Sequence, residues 1–256
     1  MNQDLEFCHL VLAKKELETL SARDQKRLLM VTNMLRDMDL FRKLLIYTKE
    51  QNFTDSVFSE AAFVSISLPF IKLFISKCFE VRQFFLEEKV AEDKRMFSKE
   101  LLEWWNNIEV FFNEQKNCKL FSFVRNKFGF HFDHYQEIES YIKTAMNEVG
   151  DMKLWTQTDQ AGNDLYASSN TIMLVVLRNK MQELGFTGNE ENIIGQLQRL
   201  PIEISHSINE FCKLYLLEII LKGKCFSKER TIIVTAPLLS DVSLPLIVSN
   251  DLKRSN

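Results

Sequence analysis

The run Val124-Arg125-Asn126-Lys127-Phe128-Gly129-Phe130-His131 holds the residue types best suited to phosphate chemistry in this chain. An arginine guanidinium is planar, always charged, and matches phosphate oxygens with a two-pronged fork. A histidine titrates close to neutral pH and can take up or release a proton during reaction. Asn126 can hold a substrate or an imidazole by hydrogen bonds, although an amide is no base. The window 115–132 also contains Lys116, Lys119 and Lys127 and no Asp or Glu, and Glu114 and Asp133 bound it. In a chain of net charge −3 this is a local basic patch. The plainer reading is a solvated helix face whose counter-charges lie elsewhere in the fold.

Arginine, a polar residue and then a histidine, within a helical chain, resembles the signature of the HEPN family, the higher-eukaryote and prokaryote nucleotide-binding fold. That signature is Arg-x(4–6)-His, commonly with Asn, Asp or His directly after the arginine. Here it reads Arg125-x5-His131 with Asn126 in the polar slot. The resemblance rests on this run and on the helical pattern over 22–148. It implies a bundle of four or more helices, dimerisation around the motif and, in active members, RNA cleavage without a metal or other cofactor. On that reading the chain is an endoribonuclease of the kind found in toxin–antitoxin or antiviral-defence systems. Its partners would be RNA, a second copy and an antitoxin or regulatory protein. Arg125 would stabilise phosphate charge, His131 would transfer protons, and Asn126 would position one or the other. Lys116, Lys119, Lys127 and His134 would contact the substrate.

Metal-free RNA cleavage explains those types. The 2′-hydroxyl must lose a proton and attack phosphorus, the leaving 5′-oxygen must gain one, and negative charge builds on the phosphoryl oxygens. On a regular helix, positions six apart lie about 240° around the axis. Arg125 and His131 therefore meet only if the helix breaks at Gly129 or if they face each other across a dimer seam. Other readings stay open: Arg125 as an ion-pair partner, His131 as a core or interface histidine between Phe130 and Phe132, and Asp133 as a helix N-cap. The same fold can also serve as a non-catalytic binding or scaffolding protein.

The elements that must position these residues are helical. With Gly 7 and Pro 4 in 256 residues, against roughly 30 of the two together at average usage, the chain has few breaks. A mainly α, multi-helix bundle is expected. A short helix is predicted over 4–19. Ser21 and Asp24 have capping-box spacing and open a helix over 22–49 with Leu28, Val31, Leu35, Met38 and Leu45 on one stripe. A third helix runs from Asp55 or Ser56 to about Val90, apolar nearly all round and interrupted by Pro69. After a polar connection over 87–95, Ser98 caps a helix with Leu101, Trp105, Ile108 and Phe112 on one face. Helix continues over 118–149 with a break near Gly129. These elements make up a HEPN-like bundle, 1–149. A helical extension, 150–256, follows. It holds a β-hairpin over 153–168, a helix over 170–184 closed by Gly185, and a short helix over 189–200. A helix over 202–222 then runs from Pro201 to Gly223, and Thr231–Val234 reads as a strand.

Other chemistry lacks support. Cys8, Cys78, Cys118, Cys212 and Cys225 form no CxxC pair, which suits free thiols in a reducing compartment. His131-x2-His134 has metal spacing but no third ligand beside it. There is no P-loop, GxGxxG, HExxH or GxSxG. The greasy stretches 61–79 and 231–248 are broken by prolines and charges, and no basic leader precedes an apolar run, so a cytoplasmic protein with no membrane span is expected.

Overall fold

The computed structural model describes residues 2–48, 56–129, 135–150, 167–188 and 190–237. They form a mainly α, multi-helix bundle with one small antiparallel sheet. Among the described residues, no helix is long and apolar enough to cross a membrane.

A short helix α1 (Lys14–Glu18) leads to α2 (Ala22–Thr48). The α2 start is capped as expected, because the Asp24 N–H donates to Ser21 Oγ at 3.1 Å. Val31, Met34, Met38 and Leu45 face inward from α2. The third helix, α3 (Ser56–Glu87), contains Pro69. From Leu68 onward it buries Leu68, Ile71, Phe74, Ile75, Cys78 and Val81, and it packs against α2, α5, α7 and α8. A helix apolar on so many sides has to be central. A 3₁₀ turn, Val90–Met96, joins it to α4 (Lys99–Asn113). Ser98 caps α4 by accepting from the Leu101 N–H, and Leu101, Trp105, Ile108 and Phe112 are its buried face. Next come α5 (Gln115–Val124), a π-helical turn over Arg125–Gly129, and α6 (Tyr135–Val149). The chain then forms α7 (Ala167–Glu183) and α8 (Glu190–Tyr215). Gly185 and Gly223 follow the last two helical segments with φ of +87° and +73°, a region that L side chains avoid.

Core side chains from α2, α3, α4, α7 and α8 belong to one hydrophobic cluster. Its aromatic centre is Phe211, whose ring centroid lies 5.2 Å from those of Phe85 and Trp105 and 5.4 Å from that of Tyr215.

Two expectations need correction. Residues 2–12 are strand and only Lys14–Glu18 is helical, where a helix over 4–19 was expected. Strand β1 (Asn2–Leu12) pairs antiparallel with β2 (Phe226–Pro237), setting Leu5 opposite Val234 and Phe7 opposite Ile232. Alternation of Asp4, Leu5, Glu6 and Phe7 suits a strand, and its partner lies at the far end of the described chain. Pro201 does not begin a helix but lies inside α8. Leu197, Leu200, Ile204, Ile208 and Phe211 are buried on both sides of it, which outweighs the cost of about 3 kcal/mol for an interior proline. The predicted hairpin lies almost wholly outside the described residues, and Ala167 and Ser168 at its end begin α7. The strand expected at Thr231–Val234 falls within β2.

Candidate functional site

Leu120, Phe121, Val124 and Phe128 are buried and decide which way the motif faces. Three- and four-residue steps place them on one side, which packs on α3. Ser122, Arg125 and Asn126 are left outward, with Asn126 exposed. Phe128 is also held by Phe123, at 5.5 Å between ring centroids.

The π-helical turn opens at Arg125, whose backbone N–H is shared between the Phe121 and Ser122 carbonyls. Such turns occur mostly as single insertions, often at functional sites. A second one covers Leu216–Ile220, so the turn alone marks nothing. Its side chains are more informative. Arg125 Nη1 donates to Asn126 Oδ1 at 2.9 Å, and Asn126 Nδ2 donates to Ser122 Oγ at 3.2 Å. The chain Ser122–Asn126–Arg125 braces a guanidinium at the surface. His131 and His134 lie outside the described residues.

Two clefts meet at this brace, and Ser122, Asn126 and Phe79 line both. The first, of about 840 Å³, lies against α2 and α3 and takes in Arg125. Four cations and four carboxylates line it, including the pair Lys77–Asp37 at 3.0 Å. Burial disfavours the charged Asp37 carboxylate, but hydrogen bonds from Lys77 and Arg36 outweigh it and hold the group below the usual range. This cleft is charge-balanced.

The second cleft, of about 500 Å³, lies between α5 and α7. Lys119, Lys127 and Lys180 line it against the single carboxylate of Glu183. Lys180 Nζ donates to Glu183 Oε1 at 2.7 Å and to the Tyr141 hydroxyl at 3.3 Å. The Tyr141 hydroxyl in turn donates to Glu183 Oε2, and Lys180 Nζ stands 5.4 Å from the Phe123 ring centroid. Burial works against the Lys180 charge, yet those bonds outweigh it and raise its pKa above the ordinary value. Hydrogen bonds from Lys180 and then Tyr141 lower the Glu183 pKa. Lys116 lines neither cleft. It pairs with Glu114 at 2.8 Å and stands 5.1 Å from the Phe186 ring centroid.

No family model, curated protein or solved structure matches this chain. Of the residues singled out in the sequence, the structure brings Arg125 and Asn126 into direct contact and sets Lys119 and Lys127 in one cleft. It keeps Lys116 apart from them. Lys180, Tyr141 and Glu183 were not singled out. Arg178-Asn179-Lys180 does repeat the opening of the motif, and Lys180 with Glu183 has the spacing of a helical ion pair.

Proposed function

We propose that this chain is a HEPN-like, metal-independent endoribonuclease that handles RNA at the Arg125–Asn126 turn and works as a homodimer. The observation that carries the reading is the braced guanidinium: an arginine held by its neighbour at the surface, where two clefts meet. Such a group offers a fixed positive charge to phosphoryl oxygens as charge builds on them. In the reaction the 2′-oxygen forms a bond to phosphorus and the bond to the 5′-oxygen breaks. The 2′-proton leaves to a base, the 5′-oxygen receives a proton, and His131 serves one or both transfers. Arg125 stabilises the phosphoryl charge, and Asn126 is a positioning residue that orients the guanidinium. A toxin or antiviral-defence role, with an antitoxin or regulatory protein as partner, belongs to this same reading.

The products identify the reaction. RNA incubated with the purified protein in excess EDTA is expected to be cut, leaving 2′,3′-cyclic phosphate and 5′-hydroxyl ends. A substrate with 2′-deoxyribose at the cut position is expected to survive. Cutting that stops on chelation, or that persists without the 2′-hydroxyl, contradicts the proposal. The second reading is a non-catalytic helical binding protein. The charge balance of the first cleft supports it, because Arg125 opens onto a space that already holds four carboxylates.

A further inference from the structure

The two clefts that meet at the Ser122–Asn126 ridge differ sharply in charge. The one that takes in Arg125 has as many lining carboxylates as cations, so a polyanion laid along it would meet repulsion as often as attraction. The one between α5 and α7 has three lysines to one glutamate. Its lysines come from two stretches remote in sequence, Lys119 on α5 and Lys127 on the adjoining π turn meeting Lys180 on α7. Packing of α7 on α5 adds Lys180 to two lysines of the acid-free window 115–132, within a chain of net charge −3. The Lys180 ammonium is fixed in place by Glu183 and Tyr141.

We infer that the α5–α7 cleft is the track for the RNA backbone, with Lys119, Lys127 and Lys180 contacting successive phosphates and Asn126 marking where the strand crosses the ridge to Arg125. This rests on the reading of the Arg125–Asn126 turn as an RNA site and adds to it the path of the strand. Lys180 becomes a substrate contact, and Lys116, on its own pair with Glu114, does not.

Counterion release makes this measurable. For single-stranded nucleic acid, each phosphate contact steepens the fall of log affinity with log salt by about 0.7. The test is fluorescence anisotropy of a short fluorescein-labelled single-stranded RNA, titrated across a salt series. The variant is Lys119→Gln/Lys127→Gln/Lys180→Gln. The control is Lys14→Gln/Lys43→Gln/Lys213→Gln, which removes the same charge from exposed positions lining neither cleft. The cleft variant is expected to bind about ten-fold or more weaker, with the salt slope reduced by about 2. The control is expected to stay near wild type, and both should keep the helical circular-dichroism signal. Equal weakening by the control means diffuse attraction and overturns the inference. Wild-type affinity in the cleft variant, with binding lost in Arg125→Ala, also overturns it while leaving the RNA reading intact. If the wild type binds no RNA at any salt, both fall together.

Discussion

Arg125→Ala is expected to slow metal-independent RNA cleavage by about 10²–10³-fold, the usual loss when one pre-organised donor to developing charge is removed. His131→Ala should slow it by about 10²–10⁴-fold, the range for a general acid or base. The loss in Arg125→Ala is not expected to reflect unfolding. The turn is anchored by Leu120, Phe121, Val124 and Phe128, whereas Arg125 contributes one hydrogen bond to its neighbour Asn126. Arg125→Lys separates charge from geometry, since it keeps the charge and loses the planar fork. It is expected to fall between wild type and alanine. Single-turnover rates in excess EDTA, with circular dichroism on each variant, measure all three. An Arg125→Ala protein that cuts as fast as wild type would remove this residue from the reaction.

The largest stability effect is expected far from that turn. Arg27 is almost wholly buried on α2. Its Nη1 donates to Asp93 Oδ2 at 2.8 Å and its Nη2 to the Glu88 carbonyl at 2.5 Å. The Tyr215 hydroxyl donates to the same Asp93 oxygen at 2.7 Å. Lys26 pairs with the Glu88 carboxylate from the solvent side. One arginine thus joins α2, the 3₁₀ turn and, through Asp93, the end of α8. Removing one member of a buried charge network leaves the others uncompensated, at about 3–5 kcal/mol. Arg27→Ala should lower the unfolding free energy by that amount in urea titration. A loss under about 1 kcal/mol, typical of an exposed pair, would show the network to be unimportant.

Acid adds a check on sign. The hydrogen bond from Lys26, with the nearby charges of Lys26, Arg27 and Arg23, outweighs burial and lowers the Glu88 pKa below its ordinary value. A lowered carboxylate pKa stabilises the fold above the ordinary glutamate range, and that share is lost as pH falls through the lowered value. Because Arg27 contributes to the shift, the gap between wild type and Arg27→Ala should narrow on acidification.

What could be read from sequence was mostly local. Ser98 and the stripe Leu101, Trp105, Ile108 and Phe112 lie within a few turns of helix, and every one falls where the spacing placed it. The bounds of α2 and α3 follow in the same way from Ser21, Ser56 and unbroken apolar periodicity. Misreadings came where the deciding partner was remote. The alternation around Leu5 and Phe7 gains its strand partner only from Ile232 and Val234. Pro201 reads as a helix start until its surroundings are known. Its carbonyl lies 4.0 Å from Cys78 Sγ on α3, in a fully packed interior. The site divides along the same line. The outward turn of Arg125 and Asn126 follows from the apolar residues flanking them. The cleft opposite them depends on Lys180 and Glu183, held with Tyr141 of α6, which only the packing of α7 on α5 and of α6 on α7 brings near.

Photocrosslinking of 4-thiouridine-substituted RNA to the wild-type protein, with crosslinked peptides identified by mass spectrometry, shows where RNA lies on the surface. Crosslinks are expected in the peptides carrying 115–129 and 175–184, and are expected to be lost from Lys119→Gln/Lys127→Gln/Lys180→Gln. Crosslinks confined to other surfaces, or none when RNA is in excess, would contradict RNA binding in the α5–α7 cleft.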